Sequence, residues 1–142
     1  MTDAVHIVEV SPRDGLQNEP DWVATDDKLA LISQLLDSGL RCIEATAFVS
    51  PKWVPQMADS REVFDGITRR TQTLYSALAP NLHGLERAIE AGADEIVIFG
   101  AASEAFSQRN INCSIAESIA RFERVARATL AAGLRLRGSV SV

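Results

Sequence analysis

Two apolar periods alternate along this chain, and few folds accommodate that alternation. Residues 5–10, 41–48, 73–79, 94–99 and 134–142 are short β-branched or apolar runs bounded by turn residues, which predicts strands. The segments between them carry a helical period. In the first, Leu29, Ile32, Leu35 and Leu36 share a face. In the last, Ile115, Ile119, Phe122, Ala126 and Leu130 form the predicted core stripe, with Glu117–Arg121 and Glu123–Arg127 as i,i+4 ion pairs on the wet side. Thr25, followed by Asp26 and Asp27, predicts an N-cap. Ser114 with Glu117 predicts a capping box. Gly39, Gly92 and Gly133 each precede a strand run and are placed to end a helix in the left-handed conformation.

The resulting βαβαβαβαβ order demands a parallel sheet with right-handed crossovers. Two α/β architectures satisfy it: a five-stranded doubly wound domain of flavodoxin type, or a piece of an eight-fold βα barrel, which needs about 250 residues. Periodicity does not choose between them. The 142 residues stop inside the fifth apolar run with no covering helix, which favours the piece. With 46% apolar and 23% charged residues, the chain has the composition of a single folded domain and not of a disordered segment. A net charge of −5 argues against a nucleic-acid partner held by bulk charge. No apolar run approaches the roughly 18 residues of a membrane span, so no membrane partner is expected. Cys42 and Cys113 stand far apart and form no C-x-x-C, which argues against a disulfide framework or a thiolate zinc site and fits a reducing, cytoplasmic compartment.

Ligands of parallel α/β folds meet the loops at the carboxyl ends of the strands. The loop after the first run reads Ser-Pro-Arg-Asp-Gly-Leu-Gln-Asn-Glu, residues 11–19. Arg13 offers a rigid fork of donors for an oxyanion. Asp14 offers an oxygen ligand for a hard cation such as magnesium or manganese. A polar turn with a surface ion pair explains the same residues equally well. Glu44 interrupts the apolar run Cys42-Ile43-Glu44-Ala45, and a carboxylate there is costly unless paired. Arg13 on the adjacent strand is the expected partner, in a structural or a positioning role. Glu9 is a weaker candidate, expected to point outward.

His6 and His83 are too isolated to make a metal site. Gly100-Ala101-Ala102-Ser103 lacks dinucleotide-binding spacing. Arg109 to Asn112 are suited to a ligand phosphate, although loop polarity explains them as well. Trp22, Trp53 and Phe48 are read as covering a core edge. A receiver-type signalling domain is set aside, because strand run 73–79 ends without an aspartate and no lysine follows Lys52.

Four blocks together resemble the 3-hydroxy-3-methylglutaryl-CoA lyases: V-E-V-S-P-R-D-G-L-Q-N-E (8–19), F-V-S-P-K-W-V-P-Q-M (48–57), V-I-F-G-A-A-S-E (97–104) and N-I-N-C-S-I (110–115). The R-D-G-x-Q element alone indicates the wider metal-dependent barrel superfamily, and the other blocks narrow it. Ser11 stands where many members carry glycine. The resemblance implies a (β/α)8 TIM barrel of which residues 1–142 are the N-terminal half, a single incomplete domain with about four βα units and the fifth strand. It implies a divalent-metal-dependent (magnesium or manganese) retro-Claisen cleavage of 3-hydroxy-3-methylglutaryl-CoA to acetyl-CoA and acetoacetate, a reaction of leucine degradation. The alternatives are a lyase for another 3-hydroxy-3-alkylglutaryl-CoA, a related Claisen-type acyl-CoA enzyme, or a non-catalytic half-barrel.

By the same resemblance, Asp14 is a metal ligand, and Arg13 and Glu44 are catalytic. Arg13, Gln17 and Asn110 meet the acyl-CoA substrate. The family's His-x-His and asparagine ligands and its loop cysteine find no counterpart in these residues. Cys42, Cys113, His6 and His83 do not match them. The complete enzyme is expected to be a homo-oligomer, a dimer, and this chain alone to be inactive.

Overall fold

The chain is described by a computed structural model covering residues 5–142. Four parallel strands, β1 (Cys42–Ala47), β2 (Leu74–Leu78), β3 (Glu95–Ala101) and β4 (Arg135–Ser141), lie in one sheet in their chain order. Among the described residues, five α-helices connect and flank them: α1 (Thr25–Asp37), α2 (Ser60–Gly66), α3 (Leu82–Glu90), α4 (Glu104–Ile111) and α5 (Ile115–Ala131). β1 pairs with β2, and Ile43 of β1 also bridges Glu9 on its other side. A flavodoxin-type sheet would seat the first run between the second and third strands. Here each strand is added outside the last without reversal, which is the winding of a βα barrel.

The strands divide their side chains between two faces, as the pleat requires. Ile43, Tyr75, Ala77 and Ile96 pack toward the helices with Ile32, Leu36, Val63, Leu85 and Val125. On the other face, Ala47, Leu78 and Val97 pack with Met57, Leu16 and Phe99. Gly39, Gly92 and Gly133 take φ of 99°, 81° and 72°, and so end α1, α3 and α5 as expected. Gly84 has a steric reason as well. A Cβ there would meet the Phe48 carbonyl oxygen closer than real Cβ atoms come, so the first turn of α3 can lie against the end of β1 only as glycine.

Three expectations are corrected. The run at residues 5–10 is not a strand. Glu9 alone exchanges ladder bonds with β1, while Val5 and Ile7 are exposed, so nothing apolar holds the run flat. Thr25 is the first helical residue, with Ala24 at the N-cap, because its hydroxyl donates to Asp59 instead (2.7 Å). The buried stripe of α5 is Ser118, Phe122, Val125 and Thr129, while Ile119 and Leu130 are exposed. Ser118 and Thr129 bury cheaply because their hydroxyls donate to the carbonyls of Ile115 and Val125 (both 2.7 Å). The Ser114–Glu117 capping box forms, and Glu117 turns to Ser114 and not to Arg121. Arg127 and Glu123 pair at 2.6 Å.

Candidate active site

Ser11–Gly15 form one π-helical turn, closed by the Leu16 N–H on the Ser11 carbonyl. Pro12 is buried and fixes the entry. The Glu9 carboxylate accepts the Ser11 N–H at 2.8 Å, and that backbone bond holds its pKa below the ordinary glutamate value. Glu9 thus turns back on its own loop. Single π-turns recur at functional sites because they re-aim side chains. This one brings Arg13 over β1.

Arg13 Nε donates to Glu44 Oε1 at 2.5 Å, and its Nη1 donates to Asp14 Oδ1 at 2.8 Å. The Glu44 side chain is 1% exposed and sits mid-strand, below the carboxyl end of β1. Its second oxygen accepts from Arg137 Nη2 of β4 at 2.7 Å. Arg137 Nε donates to Glu95 Oε1 of β3 at 2.9 Å, and its Nη2 also reaches the Ser76 hydroxyl of β2 at 3.4 Å. Burial alone would lower the pKa of Arg137. Its bonds to Glu44 and Glu95 outweigh that and raise it. Two arginines and two glutamates thus form one chain across the sheet, each carboxylate charge matched by a guanidinium. Among the described residues, Nη2 of Arg13 has no hydrogen-bond partner, so the turn that fixes this arginine leaves donors for a ligand.

Asp14 is 59% exposed and gives only Oδ1 to Arg13. Its carboxylate chemistry fits one oxygen position of a hard divalent cation. Among the described residues, no group of three or more His, Cys, Asp or Glu side chains is gathered to hold a metal, so Asp14 can be one ligand but not a site. Gln17 is half-buried just beyond the turn, and makes no hydrogen bond to another described residue. Asn110 is exposed on α4, which leaves the carboxyl end of β3, so it lies on the same end of the sheet as the arginine turn without joining the network. His6 and His83 are exposed, as is Trp53, which covers no core edge.

Arg137, Glu95 and Ser76 escape a reading based on loops, because they lie inside strands. The signal was present: once Glu44 is seen as buried, a second charged residue in an apolar strand run, as in Glu95-Ile96-Val97 or Leu136-Arg137-Gly138, is a candidate partner.

The family model described as HMGL-like matches residues 4–142. The chain belongs to the HMGL-like family. This HMGL-like chain is 56% identical over 137 residues to the mitochondrial hydroxymethylglutaryl-CoA lyase of Bos taurus, covering 96% of the chain and 42% of that protein. It is also 56% identical, covering 96% of itself and 46% of the relative, to the 3-hydroxy-3-isohexenylglutaryl-CoA/hydroxy-methylglutaryl-CoA lyase of Pseudomonas aeruginosa. Its fold superposes on the crystal structure of the HMG-CoA lyase of Brucella melitensis with a TM-score of 0.95 and 57% identity, covering 98% of this chain and 49% of that one. The HMGL-like chain therefore spans less than half the length of the curated relatives it matches. Its sheet is a partial (β/α) barrel.

Proposed function

We propose that the chain supplies about half of the catalytic barrel of a carbon–carbon lyase that cleaves 3-hydroxy-3-methylglutaryl-CoA to acetyl-CoA and acetoacetate. The observation that carries this reading is the Arg13 turn. Its guanidinium is locked by the buried Glu44 and flanked by the exposed Asp14, and among the described residues its Nη2 has no hydrogen-bond partner. Cleavage moves an electron pair from the breaking C–C bond onto the thioester oxygen of the departing acetyl-CoA enolate. A guanidinium already held in place stabilises that charge without reorganising, which is often the largest catalytic contribution. Glu44 keeps Arg13 in position, and Arg137 braces Glu44 through its second oxygen. Gln17 lines the substrate and Asn110 approaches its coenzyme A portion.

Asp14 is proposed as one ligand of a magnesium or manganese ion, the others coming from residues outside this chain. Such an ion would make the tertiary hydroxyl of the substrate more acidic. The proposed compartment is the cytoplasm and the proposed complete enzyme a dimer. Free Cys42 and Cys113 agree with a reducing environment, and no described helix is long and apolar enough to cross a membrane.

The name of the Pseudomonas relative favours a second substrate, a glutaryl-CoA with a longer 3-alkyl branch. Acetyl-CoA release by the complete protein, with magnesium or manganese, from 3-methyl and longer 3-alkyl substrates decides between them. Release from neither would overturn the lyase reading.

A further inference from the structure

A second polar cluster lies beneath the same loop and takes no part in the network around Glu44. Lys28, in the first turn of α1, is 3% exposed. Its Nζ donates to the Gln56 carbonyl at 2.5 Å and to Asp59 Oδ1 at 2.7 Å, and it lies 4.3 Å from the ring centre of Trp22. A lysine this deep is costly unless its charge is matched, and all of its partners come from two short segments. One is the stretch at residues 55–59, which includes the 3-10 turn Pro55–Met57. The other is the end of the arginine loop, through Trp22.

The Gln56 side chain completes the connection. Its Oε1 accepts the Val23 N–H at 3.2 Å, and its Nε2 donates to the carbonyls of Glu19 (3.2 Å) and Asp21. Three backbone groups of the segment joining the arginine turn to α1 thus end on one amide. On the upstream side, Leu16 packs into the cluster formed by Met57, Ala47 and Leu78. The 3-10 turn is itself tied to β1, because the Ser60 hydroxyl, with one proton to give, sits between the carbonyls of Ala47 (2.7 Å) and Met57 (2.5 Å). The loop carrying Arg13, Asp14 and Gln17 is therefore pinned on both sides to one rigid turn, and Lys28 holds that turn from below.

We infer that Lys28, acting through Gln56 and Asp59, is a positioning residue that sets where the arginine loop stands over the sheet. The inference rests on the proposed lyase reading only for its kinetic consequence. Its structural consequence is separate: without the Lys28 charge, Gln56 loses its fixed backbone and the segment at residues 19–23 opens.

The test compares Lys28→Met with the double variant Lys28→Met/Asp59→Asn in the complete protein. Lys28→Met strands a buried carboxylate and lowers the unfolding midpoint. The double variant removes both charges and brings the midpoint back toward wild type. Hydrogen exchange of the peptide spanning residues 16–24 is expected to stay at least tenfold faster than wild type in the double variant. Its kcat for 3-hydroxy-3-methylglutaryl-CoA cleavage is expected to fall at least tenfold, with KM changed less than threefold. A double variant with restored midpoint, wild-type exchange and wild-type kcat would mean that the pair serves stability alone, and the inference fails. If the wild-type protein shows no cleavage, the lyase reading fails, and the exchange measurement still decides the clamp.

Discussion

Arg13, Asp14 and Glu44 meet at one point but are asked for different things, so their substitutions should separate. In the complete protein, Asp14→Ala deletes the proposed oxygen ligand and should weaken magnesium or manganese binding in a calorimetric titration. Arg13→Met should leave metal affinity nearly intact and lower kcat by about 10²–10³, the scale of losing one oxyanion donor. Equal metal affinity in wild type and Asp14→Ala would remove Asp14 from the metal. Glu44→Ala leaves Arg13 and Arg137 without their shared carboxylate, and breaking a buried pair in this way costs about 3–5 kcal/mol. A denaturant midpoint near wild type would show that water repairs the gap. Glu9 gives a pH signature. Its folded-state pKa is depressed by the Ser11 N–H, so its contribution to stability is full above the unfolded-state value and is lost as pH falls through the folded one. The Ser11 amide resonance should titrate with a midpoint below that of a free glutamate, and Glu9→Gln should flatten the curve. A midpoint at or above the free value refutes the bond.

At the scale of elements, the sequence is legible where backbone chemistry is local. The three helix-ending glycines and the Ser114–Glu117 box are visible because left-handed φ and capping need particular residues at particular offsets. Reading fails where a partner lies far along the chain. Thr25 looks like an N-cap until Asp59, 34 positions away, claims its hydroxyl. The α5 stripe is misjudged because Ser118 and Thr129 satisfy their own hydroxyls, while the isoleucine chosen for the core, Ile119, lines an apolar groove with Phe122, Phe99 and Val140. The Arg13–Glu44 contact could be anticipated because one charged strand residue needs a partner, but Arg137 could not be assigned until the strand order was known. Gly84→Ala tests the contact that seats α3. A methyl group there pushes on the Phe48 carbonyl, and overpacking of this kind costs about 1–3 kcal/mol. An unchanged thermal midpoint would show that α3 is free to shift.

For the molecule as a whole, β4 borders the sheet and the groove between it and α5 is apolar, with Ile119 and Val140 largely exposed. An open edge beside an uncovered apolar surface invites association. The 142 residues produced alone should therefore sediment as oligomers and show no lyase turnover. A monodisperse, active monomer would overturn both the partial-barrel argument and the assignment of the remaining ligands elsewhere. Time enters through the network over the sheet. Glu44 and Arg137 are separated by 93 positions, so on a ribosome adding about 5–20 residues per second the carboxylate exists for roughly 5–20 s before its second arginine is made. In that interval Arg13, 31 positions upstream of Glu44, is the one of its two arginine partners already synthesised. The nascent chain can thus rehearse one half of the site early, while the half that locks it waits for the fourth strand.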